Sequence, residues 1–166
     1  MNTNSIRNSI RFILCGVSVC CALGFGIPAH ALNTTRPSPC SDFVTAAGWI
    51  TGTPSGADAN FGAAGGIRNG AFWGYLDYID HGNGTHVNAT AVTGYAADPN
   101  DADCRIIDYN VTIDGQPGTA RIRVCDKGEP GVNDIFQIQL SNGYFAGGDL
   151  GGSQPGGGNV QLHKCN

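Results

Sequence analysis

From residue 45 onward the chain reads as strands, and in two of them apolar and polar positions alternate with a period of two. Arg105 to Ile113 is the clearest instance: Ile107, Tyr109, Val111 and Ile113 fall on one side, Asp108, Asn110 and Thr112 on the other. Thr119 to Cys125 repeats the pattern, with Ala120, Ile122 and Val124 apolar and Arg121 and Arg123 between them. Such alternation describes a strand with one buried and one wet face, as in an antiparallel sheet. Four earlier segments, Thr45 to Thr53, Ala59 to Arg68, Ala71 to Asp80 and Thr85 to Ala97, are rich in aromatic and β-branched residues and are separated by Gly, Asn, Asp and Pro. A hairpin from Asp134 to Leu140 and Tyr144 to Leu150 turns about Ser141-Asn142-Gly143, and Asn159 to His163 closes the series. No window carries the apolar period of an amphipathic helix. The expectation is an all-β fold of about eight or nine short antiparallel strands, a single β-sandwich or closed β-barrel. It would occupy residues 45–166, behind a lead segment at 32–44.

The best-patterned hairpin also predicts a covalent link. A turn centred on Asp114-Gly115 pairs Ile113 with Gln116, and the same register sets Cys104 opposite Cys125, within bridging distance. A longer loop including Pro117-Gly118 would move the register by two and leave the cysteines diagonal. Both lie on the polar phase of their strands. If Cys104 joins Cys125, Cys40 is left for Cys165, which would staple the start of the domain to its end.

Composition narrows the class further. Of 166 residues 26 are Gly, and Glu129 is the only Glu among 13 acidic residues, which suits turns and not long helices. The first thirty residues read as an address. Arg7 and Arg11 precede an apolar run from Phe12 to Ile27, and Pro28-Ala29-His30-Ala31 supplies small residues for cleavage after Ala31. Removing residues 1–31 takes away two arginines, so the charge goes from −4 to 7 − 13 = −6. The expected product is secreted, periplasmic or extracellular, with no membrane span in its mature part. A lightly charged acidic chain also excludes a nucleic-acid binder, which needs clustered cations. Four cysteines outside the leader fit an oxidising compartment.

Three groups of residues have the types that carry chemistry. Asp80, His81 and His86 offer Zn or Cu ligands about a tight turn, but no third firm ligand accompanies the histidines, so a structural turn is expected. Asp126, Glu129, Asn133 and Asp134 place four oxygen donors in one loop, as Ca²⁺ prefers, although the spacing is not that of an EF-hand and Pro130-Gly131 demands a turn there anyway. Asp98 to Asp103 is a weaker version of the same idea. No bound cofactor is expected beyond that calcium candidate. A nucleophile elbow is lacking, and paired carboxylates for hydrolysis, Asp77 with Asp80 or Asp126 with Glu129, come without a separation. Trp49, Phe61, Phe72, Trp73, Tyr75 and Tyr78 would stack on sugars if exposed, but at strand spacing most are expected in the core.

An ordered series of short motifs carries a resemblance. It runs through Gly48-Trp49-Ile50, Pro54-Ser55-Gly56, Ala59-Asn60-Phe61-Gly62, Tyr78-Ile79-Asp80-His81-Gly82 and Thr93-Gly94-Tyr95. It continues with Gly128-Glu129-Pro130-Gly131 before Asp134-Ile135-Phe136, then Leu140-Ser141-Asn142-Gly143-Tyr144 and Gly157 to His163. The series resembles the bacterial secreted domain that follows choice-of-anchor domains in surface proteins, over roughly Gly48 to His163. Ala63, where an aromatic is usual, the Gly-rich stretch around Gln154-Pro155, and the four cysteines depart from that pattern. The resemblance implies an all-β extracellular domain and brings no catalytic residues with it. The expected function is therefore a secreted, non-catalytic recognition or accessory module, its partner a glycan, the cell wall or a surface protein. The competing expectations are a small hydrolase working near Asp80/His81 or Asp126/Glu129, and a β-barrel holding a small apolar ligand.

Overall fold

The structure, a computed structural model, describes residues 41–151 and 156–164. The chain divides into residues 1–36 and 37–166, and every described residue belongs to the second unit. The expected leader, its cleavage position, most of the lead segment and the Cys40–Cys165 pairing fall outside the described residues.

Nine strands form one antiparallel sheet: β1 (Phe43–Ile50), β2 (Ala59–Arg68), β3 (Ala71–Asp80), β4 (His86–Asp98), β5 (Asp101–Ile113), β6 (Gln116–Cys125), β7 (Ile135–Leu140), β8 (Phe145–Asp149) and β9 (Gly157–His163). The order across the sheet is β8-β7-β6-β5-β4-β3-β2-β1-β9. It is a meander in which each strand pairs with its sequence neighbour, save that β9 returns to pair with β1. The first strand begins two residues earlier and ends three residues earlier than its composition suggests. Gly52-Thr53-Pro54-Ser55 is already turning, with Gly56 N–H donating to the Thr53 carbonyl.

The sheet curls into a half-barrel around one core. Val44, Ile50, Phe61, Leu76, Tyr78, Ile107, Tyr109, Ile122, Phe136, Ile138 and Val160 are buried within it. Phe61 and Phe136 stack at 3.8 Å between ring centroids, bringing β2 against β7. Large side chains on β5 need small ones opposite. Ile107 lies directly over Gly65, where an added Cβ would come within 2.7 Å of it, and Tyr109 donates to the Ala64 carbonyl at 3.0 Å. At the β8 end, Gly147 N–H reaches the Gly52 carbonyl at 3.0 Å.

The hairpin register settles the cysteine pairing. Asp114 and Gly115 both have positive φ, 52° and 80°, and hold the tight reversal that sets Ile113 opposite Gln116 and Cys104 opposite Cys125. The two sulfurs are joined. The cysteines occupy the outer phase of their strands, yet both are fully buried, so the polar-phase expectation holds for direction and fails for exposure. The Asp101 carboxylate lies within 4.8 Å of both sulfurs, and it is held by Lys127 at 2.6 Å. In the chain-entropy account this link is worth about 3 kcal/mol. Cys104→Ala/Cys125→Ala is expected to lose that amount in urea unfolding; a loss under about 1 kcal/mol would contradict it.

Candidate functional site

Asp80 ends β3 and is fully buried. Its Oδ1 accepts from Ser55 Oγ at 2.5 Å and Gly82 N–H at 2.9 Å, and its Oδ2 accepts from Tyr144 Oη at 2.9 Å. Tyr144 and Tyr78 hydroxyls meet at 2.5 Å. Burial alone pushes the Asp80 carboxyl up, but bonds from Ser55, Gly82, Tyr144 and Asn83 outweigh it and hold it below its ordinary range. Burial pushes Tyr78 up to about 12, with the Asp80 charge adding to the rise against the Tyr144 bond. The result is an ionised carboxylate whose acceptor sites are engaged. It ties the β1–β2 turn and the β7–β8 turn to the end of β3. Ser55 lies in a turn, and Tyr144, expected to open a strand, stands just before β8, so period-two reading reveals neither as a partner of Asp80.

The Gly82 bond draws His81 into the turn instead of extending the strand. Ile79, not His81, stands opposite His86. His81 Nε2 lies 2.6 Å from Asn60 Oδ1, and His86 Nε2 lies 3.6 Å from Asp77 Oδ2. The two rings therefore have separate partners.

The carboxylates of the loop between β6 and β7 act on the sheet edge. Asp134, fully buried, accepts from Lys127 N–H and Val160 N–H, both at 2.7 Å. Asp126 accepts from Gly128 N–H at 3.0 Å and Leu162 N–H at 2.9 Å. Glu129 Oε1 takes the Asn159 amide at 3.0 Å. Val160 and Leu162 lie on β9, whose other side pairs with β1, so two carboxylates satisfy the outward N–H groups that a further strand would otherwise bond. Asn133 is exposed. Among the described residues, the group of His, Cys, Asp and Glu close enough to hold an ion is Asp101 with Cys104 and Cys125, and those sulfurs are bonded to each other. Because its carboxylates already accept backbone N–H groups, the loop is expected to be structural. Millimolar Ca²⁺ should leave the melting temperature nearly unchanged, whereas a rise of about ten degrees would reveal an ion site by linkage.

The Asp98–Asp103 segment is an ion-pair network. Asp98 pairs with Arg123 at 2.6 Å, Asp101 with Lys127 at 2.6 Å and Asp103 with Lys164 at 2.7 Å. These cations, through hydrogen bonds first, hold all three carboxyls below their ordinary range. Asp42 is lowered likewise, chiefly by its bond from Arg105, and Asp80 by its four donors. Asp134 goes the other way, raised by burial with Asp126 and Glu129 nearby. A lowered carboxyl adds stability that is present above its unfolded pKa and is lost as pH falls through its folded value. A raised one adds stability at low pH that fades as pH rises through its folded value. With five against one, unfolding free energy should fall on acidification below the ordinary carboxyl pKa of 3.8. Flat stability from pH 6 to 3 would contradict this.

No match was found for the chain among protein-family models, curated proteins or solved structures. Its own surface is thus the guide to function. Among the described residues no helix is long and apolar enough to cross a membrane. The six aromatics expected mainly in the core divide otherwise. Phe61 and Tyr78 are buried, but Tyr75 is 54% exposed, Phe72 47% and Trp49 37%, and Trp73 is half-buried. Phe72 is on the inner phase but sits beyond the core near the β2–β3 turn. Trp49, Trp73 and Tyr75 are on the outer phase of their strands, opposite to Ile50, Leu76 and Tyr78. Register places them on one continuous outer face: Trp49 beside Asn60, Thr45 beside Ala64, and Ala64 beside Tyr75. At one end of that face Phe43 stacks on His163 at 4.1 Å and meets Trp73 at 5.6 Å.

Proposed function

We propose that the protein is a secreted, non-catalytic recognition or accessory module, and that its barrel-like scaffold presents the outer face of β9, β1, β2 and β3 to an extracellular partner. The observation that carries this reading is the exposure of Tyr75 and Trp49 on a face whose intervening positions, Ala47, Thr45, Gly62 and Ala64, are small. Exposed rings gathered on one face mark an interaction surface where scattered ones would not. The motif series that resembles the post-choice-of-anchor domain and the leader-like first thirty residues support the extracellular setting.

The hydrolase alternative draws less support from the same geometry. Asp80 is saturated by donors and held ionised, which suits an anchor and not a general acid. Asp126 and Glu129 bind β9 groups instead of facing a shared reacting position. The apolar-ligand alternative meets an interior filled by Tyr78, Tyr109, Phe61 and Phe136.

An array of extracellular polymers and surface proteins, read for binding and for turnover, tests the proposal. Saturable binding without turnover, weakened by Tyr75→Ala, is the expected result. Turnover abolished by Glu129→Gln would overturn it in favour of the enzyme.

A further inference from the structure

We infer that the ligand class of this outer face is a neutral glycan chain, lying in the trough between Tyr75 and the amide side chains of β9; the inference rests on the recognition reading above. A hollow of about 180 Å³ is lined by Thr45, Ala47, Tyr75, Asn159 and Gln161. The register runs Gln161, Thr45, Ala64, Tyr75 across four adjacent strands, so the walls stand about 14 Å apart at ordinary strand spacing. Tyr75 leans inward over β2: a Cβ on Gly62 would sit 3.6 Å from its ring. The opposite wall is polar and fixed, because Glu129 Oε1 takes the Asn159 amide at 3.0 Å and lies 3.5 Å from Gln161 Nε2.

This pairing of walls matches the chemistry of a pyranose. Its C–H face packs on an aromatic ring, while its hydroxyls need several donors and acceptors along the opposite edge. The floor is small, its β1 part being Thr45 to Ala47, with the larger Phe43 and Trp49 side chains towards the two ends of the strand. The hollow therefore takes one sugar ring, and the rest of a chain would run out over the neighbouring rings.

Charge selects the glycan: Glu129 and Asp77 are the charged neighbours of the walls, and no cation lines the hollow, so a uronate or sialylated chain meets repulsion. Two larger hollows lack this character: one of about 450 Å³ over β5–β7, where Arg121 is engaged by Asp108, and one of about 530 Å³ among Asp103, Asp126, Lys127 and Lys164, and no exposed ring lines either.

The test is calorimetric titration of the mature protein with chitotetraose, cellotetraose and laminarin oligomers, with a polygalacturonate oligomer as the anionic comparison. Binding of at least one neutral oligomer is expected, weakened about tenfold by Tyr75→Ala and several-fold by Gln161→Ala, as the loss of one stacking contact and one hydrogen bond implies. Phe145→Ala, an exposed ring on β8, should bind as the unaltered protein does. Melting temperatures of the variants confirm that each is folded. No binding of any neutral oligomer, tighter binding of the anionic one, or binding indifferent to Tyr75→Ala would overturn the inference. If the polymer and protein array still shows saturable binding in that case, the recognition reading survives. If the array is silent as well, both fall.

Discussion

Asp80→Ala is expected to destabilise the protein by about 3–4 kcal/mol, the largest loss for a single polar side chain here. The substitution removes the acceptor for Ser55 Oγ, Gly82 N–H and Tyr144 Oη together. Two of these donors, Ser55 and Tyr144, belong to turns, whose other ties to the end of β3 include the Tyr78–Tyr144 hydroxyl contact and the His81 N–H bond to the Asp58 carbonyl. It also opens a cavity beside Tyr78, which is fully buried. Asp80→Asn keeps the oxygen facing Ser55 and Gly82 but turns a donor towards Tyr144, so it should lose roughly half as much. Urea unfolding of both variants measures the difference. An Asp80→Ala loss under about 1 kcal/mol would mean that the network is dispensable to folding. Should that variant not fold, the Asp80→Asn value decides.

The second large effect concerns Arg105, which lies on the inner phase of β5 and is only 5% exposed. Its Nε and one terminal nitrogen hold Asp42 at 2.9 and 2.7 Å, and its other terminal nitrogen donates to the Ala102 and Cys104 carbonyls. Tyr95 Oη also donates to Asp42. Asp42→Ala leaves a buried guanidinium without its anion and is expected to cost about 3 kcal/mol, the lower end for such pairs because Asp42 is partly exposed. The double variant Asp42→Leu/Arg105→Met should recover most of the loss, since the desolvation of both charges disappears with the pair. A double variant as unstable as Asp42→Ala would show that packing around Arg105, not its charge, is what matters.

How much of this was legible beforehand depended on which strands carry large side chains on one phase only. From Ile107 to Ile113 and along β6 the phases separate, so the pairing of the two strands could be read, with the turn left to decide between the opposed and the diagonal cysteine register. In β2 the stretch Gly62-Ala63-Ala64-Gly65-Gly66 has almost no side chain to assign to a phase. Its facing was fixed by Ile107 and Tyr109, more than forty positions away. Without that phase the outer aromatics on β3 could not be told from core ones. Arg105 escaped for another reason: a charge on the inner phase looks like the end of a strand until its partner, Asp42, is placed beside it. The loop carboxylates were recognised as oxygen donors, but the N–H groups of β9 that they accept are backbone, and backbone leaves no mark on composition.

The β1–β9 ladder has a kinetic consequence. Seven of the eight ladders join strands consecutive in the chain, so most of the sheet can assemble by short hairpin closures, each of small entropic cost. The last joins Phe43 to His163, and nothing local helps it form. A chain emerging amino-terminus first would hold β1 paired with β2 but with its other edge open until β9 appears. A nick or truncation ahead of Gly157 should therefore leave a nearly complete meander with a bare edge, a species that pairs with its own kind. The last strand works as a latch whose loss converts a folded domain into a template for association.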